Sequence, residues 1–79
     1  MKQNLKARIL NDKEFLERIF AMKSEDKALE KAKEKYPEAI AYNRDNQRMT
    51  FESTKMPGMF LWLDHNSYGT EVTMLYSDG

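Results

Sequence analysis

The sequence predicts an α+β fold, a two-layer domain spanning residues 1–79. It has an antiparallel sheet of about five strands in ββαβββ order and one main helix, at about residues 25–36, packed on one face. Three observations carry this expectation. Met59-Phe60-Leu61-Trp62-Leu63 is a run of large apolar residues, opened by Pro57-Gly58 and closed by Asp64-His65. Successive strand side chains point to opposite faces, so this run makes both faces of one strand apolar. Alternating segments stand on either side of it, and a single stretch, 24–36, carries helix punctuation at both ends.

In chain order, residues 4–10 alternate, with Leu5, Ala7 and Ile9 on one side and Lys6 and Arg8 on the other, the pattern of a half-buried strand. Asn11-Asp12-Lys13-Glu14 supplies turn chemistry. Residues 15–23 have two readings. Phe15, Leu16, Ile19 and Phe20 fit a helix face, with Asn11 and Glu14 as a capping box. Alternatively Phe15, Ile19 and Ala21 share a strand face and complete a hairpin with 4–10. The strand is preferred, and the choice between helix and strand over 12–23 stays open. Either way the chain must break near Ser24, because the apolar stripes on the two sides of it point in different directions.

Ser24 suits a helix N-cap, and Glu25 and Asp26 place negative charge in the first turn, where the helix dipole favours it. Ala28, Leu29, Ala32 and Tyr36 recur at helical spacing, Lys33 and Lys35 lie in the final turns, and Pro37 stops the helix. With two alanines in its stripe, this helix should approach a sheet closely. A meander of three or four strands follows. Ala39–Asn43 leads through Arg44-Asp45-Asn46-Gln47 into Arg48–Ser53, where Met49 and Phe51 alternate with Thr50 and Glu52. Residues 59–64 should take a central place, since apolarity on both faces suits the interior of a sheet. Asn66-Ser67-Tyr68-Gly69 reads as a hairpin loop before a last strand, Thr70–Tyr76.

Thirteen basic and thirteen acidic residues cancel, but residues 1–36 hold ten Lys or Arg against seven Asp or Glu, and 37–79 hold three against six. The last third is mildly acidic and aromatic. A neutral chain argues against general nucleic-acid binding, which usually needs a basic excess. There is no cysteine, hence no disulfide, thiolate metal site or cysteine nucleophile. No apolar stretch follows Met1-Lys2-Gln3-Asn4 to suggest a signal peptide, and no run approaches the roughly 20 residues a membrane helix needs. These features lead to the expectation of a cytoplasmic protein without a membrane association.

The search for catalysis finds little. His65 is the sole histidine, and Asp64 beside it should point the opposite way in a strand. No metal-ligand spacing, glycine-rich phosphate loop or Gly-x-Ser-x-Gly context is present. Neither a cofactor, a metal nor an enzymatic activity is expected. A protein interface fits the aromatic last third better, because Trp, Tyr, Phe and Met are enriched in interface cores. One helix covers one sheet face, so the other calls for a partner, a second copy of the chain as a homodimer, or an unusual wrap by its own loops. The candidate partner-binding residues are Phe60, Trp62, Asp64, Tyr68, Glu71 and Tyr76. If Phe60 and Trp62 face the helix, Met59, Leu61, Leu63 and Leu75 lie on the open side; otherwise the assignment inverts. Asp64, Glu71 and Asp78 would meet a basic partner.

Ile19-Phe20-Ala21-Met22-Lys23-Ser24, followed by Ala28-Leu29-Glu30-Lys31-Ala32 and Tyr36-Pro37, resembles a strand–cap–helix junction found in small phage proteins. With Leu61-Trp62-Leu63 it is similar to a small anti-CRISPR family directed at type I-F complexes, and small phage inhibitors of bacterial RNA polymerase have a comparable junction. The likeness covers roughly residues 15–37 and 59–76, in element order and apolar placement, and no inhibitory contact residue is carried over. It implies a phage- or mobile-element-encoded inhibitor, acting in the host cytoplasm, that blocks a host defence nucleoprotein complex by occupying its surface. The alternative is a small nucleic-acid-binding or transcription-regulating protein, with aromatics of the sheet stacking bases and Arg44, Arg48 and Lys55 reaching phosphates.

Overall fold

The computed structural model describes residues 5–66 and 69–76, of which 66 and 69–76 as backbone alone. The described residues form three helices followed by four strands: α1 (Leu5–Leu10), α2 (Lys13–Ala21), α3 (Glu25–Lys35), β1 (Ala39–Asn43), β2 (Arg48–Glu52), β3 (Met59–Asn66) and β4 (Gly69–Tyr76). The strands make one antiparallel sheet in the order β1-β2-β3-β4. The fold is α+β with an antiparallel sheet, as the sequence predicts. The element order is not, because the expected first hairpin is a pair of helices and the sheet has four strands rather than about five.

The reason lies in short segments whose period is ambiguous. Leu5 and Ile9 fit an alternation, but they are also one helical turn apart. Ile9 is fully buried, Leu5 packs at the edge of the core, and Leu10 is 48% exposed. In α2 the buried set is Leu16, Ile19 and Phe20, while Ala21 is exposed. A strand would have put Ala21 on the side of Ile19, so the helical period prevails. No capping box forms between Asn11 and Glu14; Asp12 is the N-cap, and its side chain makes no cap bond. The expected break near Ser24 is present, with α2 ending at Ala21 and Met22 in extended geometry.

The third helix follows the sequence closely. The Ser24 Oγ accepts a hydrogen bond from the Lys27 amide at 3.2 Å, and Tyr36 ends the helix, its amide donating to the Ala32 carbonyl at 2.7 Å. Ala28 and Ala32 are buried, which lets the helix backbone lie close to β1. The Glu25 carboxylate, in the first turn, accepts from the Arg44 amide at 2.9 Å and ties the helix start to the β1–β2 turn. Gln47 closes that turn with a φ of 47°, a left-handed conformation a non-glycine residue seldom takes.

All three helices lie on one face of the sheet. Met49 and Phe51 of β2 pair with Leu63 and Leu61 of β3, all four are buried, and they form one cluster with Ile9, Leu16, Ile19, Phe20, Ala28 and Ala32. Tyr36 sits in the same cluster, edge-on to Phe15 at 5.7 Å and to Phe51 at 6.2 Å. On β1 a bulge between Ala39 and Ala41 leaves Ile40 unpaired and 41% exposed. The extra residue lets Ala39 and Tyr42 both face the core. β3 lies between β2 and β4, the interior place expected for the doubly apolar run.

Candidate protein-binding face

The face of the sheet away from the helices is set by β2. Its alternation is unambiguous: Met49 and Phe51 are buried, whereas Arg48, Thr50 and Glu52 are half-buried on the other side. Residues paired across antiparallel strands share a face. Thr50 pairs with Trp62, Glu52 with Phe60 and Arg48 with Asp64, so all six stand on the open side. The sequence left two assignments for β3, and the structure places Leu61 and Leu63 inward and Phe60 and Trp62 outward.

Within this face Arg48 makes a bidentate contact with Asp64, Nε to Oδ1 at 2.6 Å and Nη2 to Oδ2 at 3.1 Å. The same guanidinium lies 3.8 Å from the centre of the Trp62 ring. A planar cation on an indole face, fixed by a two-point carboxylate, is a favourable stack. Hydrogen bonding to Asp64 raises the Arg48 pKa above its ordinary value, so its charge is constant at any working pH. The consequence for recognition is that Asp64 already has its cation. The sequence reading expects Asp64 to meet a basic partner; in the structure it pairs with Arg48 within the face.

The other candidate residues are only partly brought together. In register Glu71 of β4 is across from Asp64, Thr73 from Trp62 and Leu75 from Phe60. Tyr76 is across from Met59, outside the row of Phe60 and Trp62. Tyr68 and Asp78 lie outside the described residues. Asp64 and His65 point to opposite sides, as expected: the His65 ring stacks on Phe20 at 4.9 Å, on the helix side, and Phe20 is edge-on to Tyr42. Sequence reasoning assigned Arg48 a possible phosphate contact and missed its place over Trp62. The alternation of Met49 and Phe51 puts Arg48 on the outer side of β2, but its place over Trp62 depends on the β2–β3 register, which the structure supplies.

A second polar cluster joins the α1–α2 turn to the end of α3. The Tyr36 hydroxyl donates to Asp12 Oδ2 at 2.7 Å and lies 3.4 Å from the Arg8 carbonyl. Lys35 forms an ion pair with Asp12, and Arg8 pairs with Glu38 at 3.0 Å while its guanidinium stands 5.3 Å from the Tyr36 ring centre. Arg8, Asn11, Asp12, Lys35 and Tyr36 line an open hollow of about 450 Å³. Partial burial pushes the Asp12 carboxyl up, but hydrogen bonds from Lys35 and Tyr36 outweigh it and hold its pKa below the usual value. Burial, then the neighbouring Asp12, pushes the Tyr36 hydroxyl well above its ordinary pKa. Apart from Glu38 Oε1, which is buried without a hydrogen-bond partner, these groups satisfy one another, and the cluster works as a clamp on the fold.

Among the described residues no group of three or more His, Asp or Glu is placed to hold a metal ion, and no helix is long and apolar enough to cross a membrane. No family model matches the chain, and neither a curated protein nor a solved structure matches it.

Proposed function

We propose that the chain acts without catalysis, by stoichiometric protein binding through the open face of its sheet, with Phe60 and Trp62 as anchors. The observation that carries this reading is the placement of all three helices on the opposite face. On that face the Arg48 guanidinium stacks on the Trp62 ring, and Phe60 and Trp62 are half-buried. Aromatic and Arg side chains dominate the energetics of protein interfaces. The narrower form of the proposal is a phage- or mobile-element-encoded inhibitor of the anti-CRISPR kind, occupying the surface of a host defence nucleoprotein complex in the cytoplasm. It draws on the Ser24-capped helix and the Leu61-Trp62-Leu63 strand. The first part of that likeness, a strand running into Ala21, has no support from α2, which is helical.

With Arg48 and Asp64 paired, Glu52 and, across from Asp64 in register, Glu71 are the remaining charges of this face among the described residues, so affinity would come mainly from apolar burial and weaken only modestly with salt. Capture of nucleic acid would show the reverse, since release of counterions makes it steeply salt-dependent. The test is a pull-down from a bacterial lysate carrying a CRISPR effector complex, with wild type and Trp62→Ala side by side, each confirmed folded by circular dichroism. Capture of the complex that survives higher salt, weakened about thirtyfold or more by Trp62→Ala, supports the proposal. Retention on single-stranded DNA or RNA, lost as salt rises, would replace it with the nucleic-acid reading.

A further inference from the structure

We infer that β4 is a dimerisation edge, pairing antiparallel with β4 of a second copy about a two-fold axis perpendicular to the sheet. The two edges of the sheet differ in the way this requires. At one edge β1 has five residues, is interrupted by the bulge at Ala39–Ala41, and is backed by α3. Short length and bulges are the ordinary means of blunting an edge. At the other edge β4 has eight residues, and its register with β3 runs unbroken from Gly69 to Tyr76. Among the described residues nothing pairs with its outer side. An unpaired strand of this length presents a row of backbone donors and acceptors, which a second strand can satisfy.

The strand also lacks the side chains that keep edges apart. Gly69-Thr70-Glu71-Val72-Thr73-Met74-Leu75-Tyr76 contains no Lys, Arg or Pro and a single charge, Glu71. Two-fold pairing keeps the helix layers on the same side only when one residue lies on the axis, and the central choices are Val72 and Thr73. With Val72 on the axis Glu71 is across from Thr73 of the copy; with Thr73 on the axis it is across from Leu75. In neither does Glu71 meet its own charge, so the strand is self-complementary. The product is one continuous sheet of twice the width, helices on one side, with both Phe60–Trp62 rows joined on the other. The pairing uses the long edge of each copy and leaves only the short, bulged β1 edges outside, so assembly closes at two.

Sedimentation analysis of the wild-type chain over a wide concentration range, with Thr73→Glu, Thr73→Lys and Trp62→Ala, tests this. The wild type should be a dimer. Thr73→Glu puts like charges opposite in either register and should raise the dissociation constant roughly tenfold or more. Thr73→Lys then reports the axis, weakening the dimer if Thr73 lies on it and sparing the dimer if the introduced ammonium meets Glu71 of the copy. Trp62→Ala should leave the dimer intact. Because a charge in β4 can also disturb folding, hydrogen exchange on the wild type provides a second reading: β4 amides should gain protection with concentration while β1 amides do not. A monomer at all concentrations, a dimer indifferent to Thr73→Glu, assembly beyond two, or dissociation by Trp62→Ala would overturn the inference.

Discussion

Replacing Tyr36 with phenylalanine removes one oxygen and leaves a ring that is 4% exposed in its present packing. The edge contacts with Phe15 and Phe51 and the Arg8 guanidinium over the ring all remain, so no cavity term arises. What is lost is a 2.7 Å hydrogen bond to a carboxylate. A bond to a charged partner contributes about 1.5–3 kcal/mol. The lower end applies, because the Asp12 side chain is 19% exposed and keeps its pairing with Lys35. Tyr36→Phe should therefore cost about 1.5 kcal/mol at neutral pH, roughly 6–12 °C in Tm for a domain of this size.

The same bond sets a signature in pH. Asp12 has a folded pKa below its unfolded value near 3.9, so its contribution is complete above that value and disappears as pH falls through the folded pKa. Tyr36 has a folded pKa raised above the unfolded value near 10, so its contribution is complete below about pH 10 and is lost as pH rises beyond it. Urea denaturation of wild type and Tyr36→Phe across both limbs checks this. The stability gap should be widest between about pH 5 and pH 9 and narrow on either side. A variant as stable as wild type at about pH 7, or a gap of constant size down to about pH 2, would refute the reasoning.

Two further outcomes follow from other contacts. Ser24→Ala removes the acceptor for the Lys27 amide and should lower stability by about 1 kcal/mol in chemical denaturation, with Ser24→Asp recovering most of it. Arg48→Ala uncovers the single tryptophan and should raise acrylamide quenching of Trp62 fluorescence, while far-ultraviolet circular dichroism stays unchanged.

Helix α3 and the meander after it were legible because each carries redundant signals. Ser24, the Ala28–Ala32–Tyr36 spacing and Pro37 all agree on one helix, and the alternation of Met49 and Phe51 admits one orientation of β2. The N-terminal segments carried a single signal each. Six residues of apparent alternation from Leu5 fit either period, and only contact with the rest of the fold decides between them. Burial of Leu16 beside Ile19 and Phe20 settles the same question for α2. Of the site, the aromatic strand and its central position were visible, and its orientation followed from β2 once the register was known. The Asp12–Lys35–Tyr36 clamp was not legible, since nothing local ties a turn at residue 12 to a helix end more than twenty positions later.

The strand order in the sheet repeats the order in the chain, and this has a kinetic consequence. Each hairpin closes over a short connection, so the sheet can zip from neighbour to neighbour at small loop-closure cost. Wide separations in the chain are spanned by the bonds of Arg8 with Glu38 and of Tyr36 with Arg8 and Asp12, which hold α1 and the α1–α2 turn onto the remainder. Such contacts reward the chain only after the intervening segment is ordered. Docking of the two N-terminal helices should thus come late in folding and reverse first, and substitutions in the clamp should accelerate unfolding while leaving the refolding rate nearly unchanged in stopped-flow denaturant jumps.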